Sequence, residues 1–341
     1  VASKTDFVSI VIPNWNGKRF LSPCLDSLQK QRYTNFEIIV VDNGSQDGSI
    51  ELLTEQYPQV KLVALKHNTG FSYAVNRGIE AGIGEYIALV NNDTTVDEQW
   101  LEKMVLALES HSEIGSVACK MLSYADPTIF DGAGDGLRLG MLPARIGHGE
   151  KNIGQFDKPR YVLGACGGAA LYRRSMLDEI GLFDEDFFAY LEDVDLGLRA
   201  QSAGYKCLYI PEAIIYHLGC GTTGSGYSEL VVRLSCRNNI NMVVKNIPVS
   251  LIIGFLPHII FWQGYYLAAV VIRGGSVFAW CSGLWQAILL LPKMLKKRDF
   301  IQHQRKISSQ GLKQLIIDSH NELEESKKRL HQQIVSMQAT L

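Results

Sequence analysis

An apolar run, Ala88-Leu-Val-Asn-Asn-Asp-Thr-Thr95, ends abruptly in Asn91, Asn92 and Asp93. A carboxylate and amide oxygens at the end of a buried strand are hard donors of the kind that hold a divalent cation against a phosphate. The same residues also make turns, because Asn and Asp side chains bond their own backbone. Asp42 ends a second apolar run and precedes Asn43-Gly44-Ser45. A carboxylate there could accept the ring N–H of uracil or thymine, or else cap the helix that follows. Asn68-Thr-Gly-Phe-Ser72 follows a third run and opens a helical pattern through Asn76 and Arg77. That helix N-terminus could face a phosphate, with either later side chain reaching the nucleotide. Further along, Glu192, Asp193 and Asp195 place three acids within four residues. Mutual repulsion and partial burial should raise at least one of their pKa values, as a general base requires; the plainer reading is the acid-rich first turn of a helix. Asp195 and Arg199, four apart, read as a helix-surface pair.

These residues need elements that bring them to one place. Four short, β-branched-rich runs, Val8 to Pro13, Phe36 to Asp42, Val60 to Ala64 and Tyr86 to Asn91, have the pattern of strands covered on both faces. Between them Phe20 to Gln31, Ser49 to Tyr57 and Phe71 to Gly82 carry apolar residues at helical spacing. Strand and helix alternate, which predicts an α/β fold: a Rossmann-like, mainly parallel sheet flanked by helices, with right-handed crossovers. Ligands of such sheets lie beyond the carboxyl ends of the strands. The four strands end in Asn14 and Asn16, Asp42 and Asn43, His67 and Asn68, and Asn91 to Asp93, all on one rim.

From Ser116 to His217 the pattern is less regular. A glycine-rich stretch from Asp131 to Gly154 reads as loop or short hairpin, and a helix from Val194 to Ala203 and a strand from Lys206 to Ile210 follow Gly164-Ala-Cys-Gly-Gly168. In that last motif the glycines allow close approach, so Gly164, Cys166 and Gly167 are expected to shape a second-substrate pocket.

The residues Val11-Ile-Pro-Asn-Trp-Asn-Gly17, Val40-Val-Asp-Asn-Gly-Ser45, His67-Asn-Thr-Gly-Phe71, Val90-Asn-Asn-Asp-Thr94 and Phe187-Phe-Ala-Tyr-Leu-Glu-Asp-Val-Asp-Leu-Gly-Leu-Arg199 resemble the motifs of family 2 glycosyltransferases, over about residues 7 to 245. The resemblance implies the GT-A fold and a nucleotide diphosphate-sugar donor held by Pro13, Asn14, Asn16, Asp42, Asn43, Asn68, Asn76 and Asn92. It implies Mg²⁺ or Mn²⁺ on Asp93, with Asn91 in the first position of the family's Asp-x-Asp signature. An amide oxygen is the weaker ligand, which leaves Asp93 the principal one. The second acid of the Glu-Asp pair maps to Asp193 as the base that deprotonates the acceptor hydroxyl, with Glu192 in support. His217, in Tyr216-His-Leu-Gly-Cys-Gly-Thr222, resembles a late metal or diphosphate ligand. Arg233 and Arg237-Asn238 look like a stretch found in bacterial rhamnosyltransferase-like members, either arginine being a diphosphate contact. An inverting transfer of rhamnose from dTDP-rhamnose to a cell-surface glycan or polyprenyl-diphosphate-linked acceptor follows. A UDP-hexose or galactofuranose donor, a nucleotidyltransferase and a non-catalytic sugar-binding scaffold stay open. Residues 1–125 would then be the nucleotide-sugar-binding half and 126–245 the acceptor-binding half.

Past Lys245 the chain is different. Ile247 to Ile272 holds no Asp, Glu, Lys or Arg, and after Arg273-Gly-Gly275 a second uncharged stretch reaches Pro292. Residues 246–300 are expected to form an apolar helical hairpin that dips into one leaflet of a membrane, anchored on headgroups by Lys293, Lys296, Lys297 and Arg298, or that spans it twice, or else pairs with a second copy. Residues 301–341 read as an amphipathic helix with a solvated face at Glu322 to Glu325 and Lys327 to Arg329. A net charge of -2 with no basic stripe disfavours nucleic acid, and seven scattered cysteines without a CxxC pair suggest neither a disulfide framework nor a structural zinc site. The N-terminus lacks signal-peptide features, so the expected place is the cytoplasm, at the inner membrane face.

Overall fold

The structure is a computed structural model, and residues 6–219 and 227–338 are described. In chain order the elements are β1 (Val8–Asn14), α1 (Lys18–Gln29), β2 (Phe36–Asp42), α2 (Ser49–Gln56), β3 (Lys61–Ala64), α3 (Phe71–Ala81), β4 (Tyr86–Val90), β5 (Thr94–Val96), α4 (Trp100–Ser110) and β6 (Ile114–Ser123). Then come β7 (Phe130–Gly132), β8 (Asp135–Leu137), β9 (Pro143–Arg145), β10 (Arg160–Val162), β11 (Ala169–Arg173), α5 (Arg174–Ile180), a short 3₁₀ turn (Glu185–Phe187), α6 (Glu192–Ser202) and β12 (Lys206–His217). Four helices finish the chain: α7 (Glu229–Asn246), α8 (Val249–Ile272), α9 (Val277–Gln304) and α10 (Ser309–Gln338).

The main sheet runs β10-β12-β6-β11-β4-β1-β2-β3. β1 pairs in parallel with β2 and β4, and β2 with β3, as the alternating sequence pattern predicts. β11 then enters antiparallel between β4 and β6. Side chains alternate along each strand, so Val8, Ile10 and Ile12 pack with α1 and α4 while Val11 packs with α3 on the opposite face. Both faces are buried. The polar rim lies at the carboxyl ends of these strands, beyond the buried faces.

The tail differs from its sequence expectation in two respects. α8 and α9 are long and apolar enough to cross a membrane, and their outward faces are bare, with Phe261 65 % and Phe278 82 % exposed. Three of their basic residues, however, bond within the protein, Lys293 while staying exposed and Lys297 and Arg298 half-buried. Lys293 and Lys297 bond Asp186, Lys297 also bonds Asp184, and Arg298 donates to the carbonyls of Val244 and Ile247. The carbonyls that end α7 and the carboxylates beside the 3₁₀ turn thereby gain donors from α9. The second difference is α10, which is no free helix. Glu322 pairs with Arg160, Glu324 with Arg138, Arg329 with the buried Glu150, and Ser319 accepts from Leu137 N at 2.8 Å. Those acids cover the β8–β9 hairpin.

Candidate active site

The rim holds a cavity of about 470 Å³ lined from both halves of the sheet. On the first wall, side-chain amides form a relay. Asn92 Nδ2 donates to Asn14 Oδ1 at 2.7 Å, and Asn14 Nδ2 donates to Asp42 Oδ2 at 3.0 Å. Ser45 N donates to Asp42 Oδ1 at 2.9 Å. An amide whose donor and acceptor ends are both committed has a fixed orientation. Gly17 sits against this relay, where a Cβ would lie 2.0 Å from Asn92 Nδ2. Beside it Asn43 donates to Asn68 Oδ1 at 3.1 Å and accepts from Thr69 N at 2.9 Å, which shapes the turn entering α3.

At the end of β4, Asp93 meets His217 from the end of β12, with Nε2 3.3 Å from Oδ1. The other ring nitrogen, Nδ1, lies 2.9 Å from Asp131 Oδ2. Burial disfavours the charged ring, yet hydrogen bonds and charge from Asp131 and Asp93 outweigh it and raise His217 to about 9. Burial alone would raise Asp131, but hydrogen bonds from His148 and His217 and the Arg145 guanidinium hold it well below the usual carboxylate range. A histidine clamped by a carboxylate through one nitrogen while the other faces a second carboxylate is the arrangement that orients metal-ligating imidazoles. Asn91 lines the same wall.

Across the cavity stand Glu192 and Asp193, in the first turn of α6. Asp193 Oδ2 accepts from Gly167 N at 2.9 Å and its Oδ1 from Val194 N at 2.8 Å, which aims the carboxylate. Glu192 is buried, and burial first and the Asp193 charge second push its pKa well up. The sequence led us to expect such a raised acid, with repulsion contributing; desolvation is the larger cause, and the raised group is Glu192. Below lies Asp135, which burial and then Asp193 raise to about 8. Asp135, Cys166 and Asp193 have ligand atoms within 4.8 Å of one another. Burial also drives the Cys166 thiol well up, and a neutral thiol is a poor cation ligand.

Of the residues singled out in the sequence, Pro13, Asn14, Asn43, Asn68, Asn91, Asn92, Asp93, Cys166, Gly167, Glu192, Asp193 and His217 all line this cavity. Five do not. Asp42 is wholly buried under Asn14, so it fixes the relay and is closed to a base. Asn16 lies outside, its Oδ1 accepting from Gln46 N at 2.8 Å. Asn76, expected on the nucleotide side, staples α3 to the far loop by donating to Phe183 O and accepting from Phe183 N. Gly164 accepts from Asp135 N at 3.0 Å and packs on Gly197. Arg237 donates to the carbonyls of Asp186 and Phe187. Asp195 and Arg199 are no surface pair either: Asp195 is completely buried and also bonds Lys245 and Asn246. Of the His217 motif, Cys220 to Thr222 lie outside the described residues. Sequence reading missed Trp15, Asp135, Arg145, Phe188 and Tyr190 on the cavity wall and Asp131 behind it. Asp131 and Asp135 carried one signal, two acids four apart in a glycine-rich stretch.

The model of glycosyl transferase family 2 matches residues 9–181, half of the chain. The chain belongs to this family. Among curated relatives, this family 2 glycosyltransferase is 26 % identical over 245 residues to the N-acetylglucosaminyl-diphospho-decaprenol L-rhamnosyltransferase of Mycobacterium tuberculosis, covering 64 % of the present chain and 78 % of that relative. It is thus rhamnosyltransferase-like. Two solved structures share its fold. S. aureus TarS, residues 1–349 in complex with UDP, has a TM-score of 0.55 at 17 % identity over 95 % of this chain and 91 % of that one. GalNAc-T7 with UDP, GalNAc and Mn²⁺ has a TM-score of 0.58 at 18 % identity, over 70 % of this glycosyltransferase and 48 % of its own chain. The fold is therefore GT-A, with two apolar C-terminal helices added. Family membership displaces the nucleotidyltransferase and scaffold readings.

Proposed function

We propose that this glycosyltransferase moves rhamnose from dTDP-rhamnose to a hydroxyl of a polyprenyl-diphosphate-linked glycan, inverting the anomeric centre. One observation carries the reading: a single cavity presents the Asp93–His217 pair on one wall and the Glu192–Asp193 pair on the other. The donor's diphosphate would lie beside the strand ends at Asn14, Asn43, Asn68 and Asn92, and the acceptor hydroxyl would point at Asp193.

A carboxylate, an imidazole and an amide oxygen suit Mg²⁺ or Mn²⁺, and the Asp131 clamp on His217 supports such a site. Asp93, His217 and Asn91 would hold the ion, which when bound neutralises charge on the nucleoside diphosphate leaving group. Asp193 takes the proton from the acceptor oxygen as that oxygen attacks the anomeric carbon from the face opposite the nucleotide. Gly167 N keeps the carboxylate aimed. Burial, and then the Asp193 charge, disfavour a charge on Glu192, which lessens repulsion beside the base. One displacement inverts the centre and leaves no covalent intermediate.

Rhamnose and the lipid-linked acceptor rest on the name of the mycobacterial relative, and dTDP as the carrier on the sequence resemblance. The bare apolar faces of α8 and α9 support docking on the cytoplasmic face of a membrane, where such an acceptor resides. A thermal-shift screen of dTDP-rhamnose, UDP-glucose and UDP-galactofuranose, each with Mn²⁺ or Mg²⁺, tests the donor. A ligand that binds only the folded state raises its stability. dTDP-rhamnose should give the largest rise; a larger shift with a UDP-sugar would replace the donor assignment.

A further inference from the structure

The segment that delivers the acids to the cavity is strained. Phe188, Tyr190 and Leu191 have φ of 64°, 71° and 67°, a region that non-glycine residues rarely occupy. Such a conformation persists only when its surroundings over-determine it. Glu192 follows at once, and residues 188 to 193 all line the cavity.

The surroundings responsible lie on α7. Asn238 is completely buried, and its Nδ2 donates to the carbonyls of Phe187 at 3.0 Å, Ala189 at 2.8 Å and Tyr190 at 2.8 Å. Its Oδ1 accepts from Arg237 Nε at 2.9 Å, while Arg237 Nη2 donates to Asp186 O at 3.0 Å and Phe187 O at 2.6 Å. One amide thus gathers three carbonyls that a left-handed run of chain turns to the same side. On the opposite side Ser72 N donates to Phe188 O at 3.2 Å, and the Phe188 ring rests on Gly70, where a Cβ would come within 2.6 Å of it. Neither Arg237 nor Asn238 lines the cavity.

We propose that Asn238, oriented by Arg237, is a positioning residue for sugar transfer, holding Phe187 to Leu191 in the strained conformation that presents Glu192 and Asp193 to the cavity. The proposal rests on the reading of Asp193 as base. Aspartate at 238 would keep the shape but lose both donors and face three carbonyl oxygens with a charge, whereas glutamine keeps the amide on a longer arm.

The test compares the full chain with its Asn238→Ala, Asn238→Asp and Asn238→Gln variants by hydrogen–deuterium exchange, dTDP binding in Mn²⁺, and turnover of dTDP-rhamnose. The Ala and Asp variants should speed exchange across 187–193 by about ten- to a hundredfold, with β1 to β4 unchanged. Turnover should fall by a similar factor at unchanged dTDP affinity, and Gln should restore part of both. If Asn238→Ala does not fold, Arg237→Lys should give the same pattern more weakly. The proposal is overturned by unaltered exchange at 187–193, by a rise spread evenly over the chain, or by weakened dTDP binding at unchanged turnover, which would return Arg237 to a donor contact. Full turnover in Asp193→Asn would remove the base reading alone, because exchange reports the clamp independently.

Discussion

The two walls of the cavity are built by different means. The first is local: Asn14, Asp42, Asn43 and Asn92 sit at or just beyond the ends of three adjacent parallel strands, and they bond one another. The second depends on distant chain. Glu192 and Asp193 are placed by a strained segment that α7 holds through Arg237 and Asn238, that α9 holds through Lys293 and Lys297, and that Lys245 ties to α6 through Asp184 and Asp195. A sheet edge fixes direction by its own hydrogen-bond ladder, whereas a loop needs supports supplied from elsewhere. The family match, residues 9–181, stops short of the acids and their supports, which begin at Asp184.

This contrast makes the second wall the place to break catalysis. The largest effect is expected from Asp193→Asn, which keeps the shape and the Gly167 contact but removes the basic oxygen. Loss of a general base lowers turnover by about 10²- to 10⁴-fold. Donor binding on the first wall should persist, as measured by dTDP titration. Wild-type turnover in this variant would sink the base assignment.

Lys245→Met separates support from chemistry. Lys245 is almost wholly buried and paired with Asp184 and Asp195, so its loss leaves Asp184 to Lys297 alone and Asp195 to Arg199 and Asn246. Breaking such a network costs about 3–5 kcal/mol, visible as a lowered midpoint in urea denaturation. Asp42→Asn, a change within the local relay, should cost less. Equal losses from the two would erase the distinction between the walls.

The smallest effect concerns pH. Asp135 sits at about 8 in the folded chain against an ordinary 3.8, so the native state holds an extra proton between those values. Its contribution to stability is complete below about pH 4 and is lost as pH rises through 8. Asp135→Asn should therefore melt above the wild type at pH 8.5, with the gap closing as pH falls. A gap that widens on acidification would contradict the burial argument.

Legibility followed the same division. The parallel strands and the polar rim could be read from alternating apolar runs, because periodicity and turn chemistry are properties of neighbouring residues. Twelve cavity residues were legible for that reason or through family motifs. Asp42 was misjudged because a strand-terminal acid looks the same whether it faces a ligand or an amide beneath it. Asn76 and Arg237 carried the right chemistry, but their partners lie 107 and about 50 positions away. Lys293 and Lys297 looked like headgroup anchors because the charges they meet belong to a loop more than a hundred residues earlier. Asp131 and Asp135 gain their meaning only when β12 brings His217 to Asp131 and α6 brings Asp193 near Asp135, contacts that local pattern does not record.

The central claim is a direct displacement at the anomeric carbon, assisted by Asp193. The anomeric configuration of the transferred sugar, read by NMR from product formed with the donor that the screen selects, tests it most directly. Configuration opposite to that of the donor is the predicted result. Retention would mean two successive displacements or attack from the face that the nucleotide leaves, and either would contradict the account.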